Sequence, residues 1–179
     1  MRILGIDPGT HRTGVGLIEP AGTSYRLIHT EVITADSKKP LHERLHFIFQ
    51  ALTALVRDHH PDVVALEGVF YAKDIRATVM IGEARACAIL AASGAGIPVV
   101  EYAPARVKQA VSGNGRAGKD QVQYMIKNML GLKEAPPADS ADALAIAICH
   151  GHNAKKVEIL NSKQTAKSKF QIAKKSFGI

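Results

Sequence analysis

The chain opens on three short apolar runs. Ile3, Leu4 and Ile6 form the first; Val15, Leu17 and Ile18 mark the second; Tyr25 to Ile33 form the third. The turns between them, Pro8–Arg12 and Pro20-Ala21-Gly22-Thr23, are short. Connections of that length predict antiparallel neighbours, so the first and third strands run the same way. The period then changes. Leu41, Leu45, Ile48, Phe49, Leu52 and Leu55 recur at spacings of three and four, the pattern of an amphipathic helix. Pro61 ends that pattern, and a fourth strand follows over 63–67. A strand–helix–strand crossover makes this strand parallel to its predecessor, and therefore to the first.

The second half alternates differently. A helix rich in small residues is predicted over 73–92, with Ala77, Gly82, Ala84, Ala86, Ala88 and Ala91. A strand over 98–102 comes next, then a helix over 104–111, a glycine loop over 112–118 and a helix over 119–130. The last helix is predicted over 138–150, its start punctuated by Pro136 and Pro137. No internal repeat is visible.

Four carboxylates stand out against this frame. Asp7 ends the first strand and Glu67 the fourth. Both then lie at the carboxyl ends of parallel strands, where open α/β sheets place their sites. Asp139 and Asp142 are at i and i+3 near the start of the last helix and share a face. Each has an ordinary reading alone: a turn former before Pro8, a strand-end charge, acidic decoration of a helix start. Together they converge without lysine or arginine partners, which is costly unless divalent cations neutralise them. Oxygen ligands favour Mg²⁺ or Mn²⁺ over Zn²⁺. Two Mg²⁺ ions roughly 3.5–4 Å apart can hold one phosphate, activating water on one side and steadying the leaving oxygen on the other. In that scheme Asp7 bridges, Glu67 binds one ion, and Asp139 and Asp142 bind the other.

Composition sharpens the partner. The formal net charge of +7 over 179 residues is unevenly placed. Residues 153–179 hold seven lysines against one glutamate, and residues 73–119 hold seven basic against three acidic residues. A basic stripe and tail on a metal-binding body predict a polyanion, although a lysine-rich tail is also an ordinary solvated end. The stripe carries Lys73, Arg76, Lys108, Arg116 and Lys119. No run is apolar enough to span a bilayer and the opening does not read as a signal peptide, so no membrane partner is expected. Cys87 and Cys149 fall inside predicted helices without CxxC spacing, and read as reduced core thiols of a cytoplasmic protein.

The segment Gly113-Asn114-Gly115-Arg116-Ala117-Gly118-Lys119 mimics a Walker A loop. It fails at Asp120, where Ser or Thr is needed for magnesium, and it follows a helix rather than a strand. A flexible loop with Asn114 and Arg116, opening a helix at Lys119, suits a nucleic-acid backbone better. Phe70 and Tyr71, just after Glu67, either pack in the core or stack on bases. His150 and His152 read as a helix-end pair.

At these residues the chain resembles a family. Gly5-Ile6-Asp7-Pro8-Gly9-Thr10, Glu67-Gly68-Val69-Phe70, Val107-Lys108-Gln109 with the glycine loop and Lys119, and Asp139-Ser140-Ala141-Asp142-Ala143-Leu144-Ala145 are similar, in that order, to RuvC, the bacterial Holliday junction resolvases of the ribonuclease H superfamily. The resemblance covers about residues 1–152. It implies an α/β, ribonuclease H-like fold: a mixed five-stranded sheet flanked by helices on both faces. It implies a homodimeric endonuclease that cuts four-way junction DNA with paired, magnesium-dependent nicks, beside a branch-migration helicase complex (RuvA and RuvB). It also implies Asp7, Glu67, Asp139 and Asp142 as metal ligands, Lys108 and Lys119 as DNA contacts near the scissile phosphate, and Phe70 as an aromatic that meets the junction. Some relatives carry histidine at the position of Asp139. Nothing carries over to the tail, so the expected division is a nuclease domain over 1–152 and a lysine-rich tail over 153–179. Asp7-Pro8-Gly9-Thr10 alone is shared with sugar kinases and actin-like ATPases, but those need two such domains and this chain has room for one.

Overall fold

Strands β1 (Ile3–Asp7), β2 (Arg12–Ala21) and β3 (Ser24–Thr34) form an antiparallel meander, as their short turns require. The computed structural model describes residues 1–68 and 75–154. The second hairpin closes on Gly22-Thr23, between Ala21 and its partner Ser24. Gly22 has φ +63°, and a positive φ at the first of two loop residues suits a hairpin whose strands twist right-handed. Both strands run further than the apolar pattern alone marks, because polar residues at their ends still pair.

Helix α1 (Leu41–His59) crosses over to β4 (Val63–Glu67), which pairs parallel to β1. Helix α2 (Ile75–Gly94) returns to β5 (Val99–Tyr102), parallel to β4. The sheet order is β3-β2-β1-β4-β5. Helices α3 (Pro104–Ser112) and α4 (Lys119–Met129) follow, then a helix over 138–154, here α5. α5 continues through the expected domain boundary at residue 152.

Strand alternation divides the core into two layers. Leu4, Ile6, Val64 and Leu66 face α1 and α2, packing with Ile48, Leu52, Val56, Ala88 and Ala92. Ile3, Val63 and Ala65 face the other way, with Val107, Val122, Ile126, Leu144 and Ile148 of α3, α4 and α5. Helices thus cover both faces. Cys87 and Cys149 are buried free thiols, one in each layer.

α5 lies directly on the sheet because glycines clear its path. A Cβ on Gly5 would stand 2.1 Å from the Ala143 carbonyl oxygen, and one on Gly14 only 1.9 Å from that of Asp139. Ser140 Oγ, buried, donates to the Glu31 carbonyl at 3.1 Å and ties α5 to β3. This contact fixes the position of the first turn of α5 over the end of β1.

Candidate active site

The geometry follows from the register. Ile6 pairs with Leu66, so Asp7 and Glu67 follow side by side at the carboxyl edge. Both continue the alternation of Ile3, Gly5, Val63 and Ala65, which places them on the α5 face. There the first turns of α5 bring Asp139 and Asp142. The turn after Asp7 is pinned by buried Thr13, whose Oγ1 donates to the Gly9 carbonyl at 2.9 Å and accepts from the Gly9 N–H at 3.3 Å. Buried Arg44 of α1 donates to the Thr10 carbonyl at 2.9 Å.

Asp7, Glu67 and Asp142 line a cleft of about 280 Å³ with Lys108, Lys119 and Pro104. Burial is the first cause of what happens to their acidities; the second is like charge for Asp7 and Glu67 and the Lys119 cation for Asp142. Asp7 is pushed up to about 7 by burial, then by Asp142, Glu67 and Asp139, against the pull of Lys119. Glu67 is raised by burial and by Asp142, opposed by Lys108 and Lys119. Asp142 is raised by burial; Lys119 pulls it down and Asp139 pushes it up. Asp139 stands at the rim, where its Oδ2 accepts from Arg12 Nε at 2.6 Å. Lys119 Nζ lies 3.8 Å from Asp142 Oδ2.

Two of these contacts correct the sequence reading. The carboxylates do not converge without cationic partners. Arg12, at the start of β2, and Lys119, at the start of α4, each neutralise one of them. Arg12 went unnoticed because 127 positions separate it from Asp139. The neighbouring carboxylates still add to burial in raising Asp7. Among the described residues no three acidic, histidine or cysteine side chains close into a coordination shell by themselves. The donor set is nevertheless carboxylate oxygen throughout, partly buried and mutually repelling. It fits hard divalent cations, which retain waters and take further ligands from a substrate phosphate.

The other expected site residues divide. Lys108 and Lys119 lie in the cleft. Asn114 and Arg116 do not: they line a separate open groove with Arg106 and Gln109. The glycine loop is also more tightly built than expected. Asn114 Oδ1 accepts from the Arg116 N–H at 3.0 Å, Ser112 Oγ donates to the Lys108 carbonyl at 2.8 Å, and Ala117 is buried in the core. A loop whose side chains cap its own backbone is held in one shape. Arg76 is exposed on the first turn of α2. Phe70, Tyr71 and Lys73 lie outside the described residues. His150 and His152 lie toward the end of α5, each with its own partner: His150 Nδ1 meets the Tyr102 hydroxyl at 2.9 Å, and His152 packs on the Tyr25 ring.

A family model described as crossover junction endodeoxyribonuclease RuvC matches residues 3–150. The chain belongs to the RuvC family. A RuvC of Trichlorobacter lovleyi is 49% identical over 152 residues, covering 84% of each chain. One of Pelotomaculum thermopropionicum is 47% identical over 154 residues, covering 86% of this chain and 94% of its own. The solved T. thermophilus RuvC in complex with a Holliday junction substrate is 38% identical at a TM-score of 0.83, covering 87% of this chain and 96% of that one. The likeness to that structure spans the sheet and helices described above. Among the described residues no helix is long and apolar enough to cross a membrane.

Proposed function

We propose that this protein is a crossover junction endodeoxyribonuclease that resolves four-way DNA junctions by paired, metal-dependent nicks. Family membership carries the reaction class. The observation that carries the chemistry is the half-buried Asp7–Glu67–Asp142 cluster, where burial and mutual repulsion raise Asp7 and bound cations would relieve both. Asp7, Glu67, Asp139 and Asp142 would hold two Mg²⁺ ions, with Mn²⁺ as a substitute. Such ions supply charge stabilisation at the phosphate and a water of lowered pKa.

The chain's own groups do the rest. Asp7 sits centrally, repelled by the other three carboxylates, and so gains most from a cation. Lys108 and Lys119 line the cleft beside the carboxylates and place a phosphate there. No covalent intermediate is needed, and by family resemblance the products are a 5′-phosphate and a 3′-hydroxyl. Asn114 and Arg116, in their separate groove, suit a more distant stretch of the backbone.

A homodimer is part of the proposal. α2 exposes Ile75, Val79 and Leu90 along one face, with Gly82 open beside them. An isologous contact pairs such a patch with its own copy and sets two sites about a dyad, as a near-two-fold junction requires. The resemblance extends the partners to RuvA and RuvB and the setting to the cytoplasm. The test is a binding titration of Lys119→Ala on a four-way junction at several salt concentrations. The logarithmic salt slope should flatten by about 0.9 for one lost phosphate contact. An unchanged slope would turn Lys119 away from DNA.

A further inference from the structure

A second hollow opens on the other side of the Asp7–Glu67 pair, and its cation is Arg85. Asp7, Glu67, Gly68, Ile81 and Arg85 line it. Arg85 stands on α2, across the sheet edge from Lys108 and Lys119. Its side chain is only 12% exposed, which is rare for arginine without a strong partner. One partner is present: Arg85 Nη2 lies 2.5 Å from Oε1 of Glu101 on β5. Glu101 pairs with Leu66 in the parallel register, so its side chain is on the α2 face, one position before Glu67 ends β4.

The pair is lopsided. The Glu101 side chain is 50% exposed, while the arginine it meets is nearly enclosed. Arg85 Nε is buried with no hydrogen-bond acceptor among the described residues. A buried guanidinium N–H left without an acceptor is costly, so its retention needs a reason. A strut between α2 and β5 would need only the contact to Glu101. Arg85 also lines the hollow beside the carboxylates, where a guanidinium fork suits the oxygens of a phosphodiester.

We propose that Arg85 is a positioning residue that binds a backbone phosphate of the strand entering the cleft, from the α2 side of the sheet edge. Lys108 and Lys119 hold the same strand from the α5 side, so cations flank the carboxylates on both sides. Glu101 holds the guanidinium until DNA arrives and competes with the phosphate for it. This inference rests on the junction-cleaving function proposed above.

Three variants test it: Arg85→Gln, Arg85→Lys and Glu101→Gln. Each is measured for thermal midpoint, for affinity to a synthetic four-way junction across a salt series, and for KM and kcat. Arg85→Gln should weaken binding about tenfold or more, as loss of a charge-assisted hydrogen bond does. Its salt slope should flatten by about 0.9. Arg85→Lys, which keeps the charge but not the fork, should keep the slope and bind less tightly. Glu101→Gln should melt lower, as Arg85→Gln does, yet bind junctions as well as wild type or better. If Arg85→Gln and Glu101→Gln both melt lower and neither changes affinity or slope, Arg85 is a strut and the inference is overturned. That result leaves a wild-type protein that still cuts junctions, so the function stands. A wild-type protein that neither binds nor cuts a junction overturns both.

Discussion

Arg12 Nε lies 2.6 Å from Asp139 Oδ2, joining the start of β2 to the first turn of α5. The pair has two consequences. It holds the rim carboxylate in place, and it puts a fixed positive charge where a divalent cation would have to compete. Both side chains are partly exposed, so the pair is worth about 0.2–1 kcal/mol. Arg12→Ala should therefore lower the Mg²⁺ concentration for half-maximal cleavage by no more than about fivefold. A Mg²⁺ titration of the cleavage rate reads this directly. A rise in the midpoint would mean that Arg12 serves chiefly to orient Asp139.

Asp7 gives a pH signature. Its folded pKa of about 7 stands above the ordinary 3.8, so the folded state binds this proton more tightly than the unfolded chain does. That contribution to stability is fully present below the unfolded value and is lost as pH rises through about 7. Asp7→Asn removes the loss. In EDTA the variant should melt at a higher temperature than wild type at pH 8, and the gap should shrink toward pH 5. Saturating Mg²⁺ should narrow the gap at pH 8 by stabilising wild type. A gap independent of both pH and metal would contradict the repulsive cluster.

Gly5 and Gly14 set the height of α5 above the sheet. A methyl group at either position meets helix backbone, at 2.1 Å and 1.9 Å respectively, and backbone has little room to yield. Gly5→Ala should cost at least about 1–3 kcal/mol, a fall of several degrees in Tm. Gly14→Ala should displace Asp139 and reduce cleavage more than junction binding. Gly94→Ala, with nothing within 4 Å, is the neutral control. Calorimetry on the three variants separates a steric role from a general intolerance of alanine.

The stripe on α2 predicts assembly. Val79 and Leu90 are exposed, and Gly82 has open space around it. Gly82→Glu or Ala86→Glu should give monomers that bind junctions poorly and nick a cruciform plasmid once instead of linearising it. Sedimentation reports the mass. A monomeric wild-type protein that still linearises the plasmid would remove the dimer from the account.

Much of this architecture was legible in the residues. Strand pattern and one crossover were enough to put Asp7 and Glu67 on the same edge of the sheet, while their common face needed the strand register. The i and i+3 spacing put Asp139 and Asp142 on one helix face, and a proline pair marked where that helix begins. The long-range ion pairs were not legible. Arg12–Asp139 and Arg85–Glu101 depend on how α5 and α2 settle on the sheet, and no local period encodes that. The glycine loop misled for a related reason. Its glycines suggested freedom, but Asn114 and Ser112 bond the loop's own backbone and Ala117 anchors it. Gly5 and Gly14 read as parts of strands, and only the helix above them shows why a side chain has no room there.

The most direct test is cleavage of a synthetic four-way junction by wild type and Asp7→Asn, with the cuts mapped, in Mg²⁺, Mn²⁺, Ca²⁺ and EDTA. Mg²⁺ and Mn²⁺ accept compact octahedral oxygen sites, whereas Ca²⁺ takes longer bonds and more ligands. The account predicts paired cuts by wild type in Mg²⁺ and Mn²⁺, binding without cutting in Ca²⁺, and no cutting in EDTA. Asp7→Asn should bind the junction in every condition and cut in none. Full cutting in EDTA, or a fully active Asp7→Asn protein, would contradict the assignment of the carboxylate cluster as the metal-dependent catalytic centre.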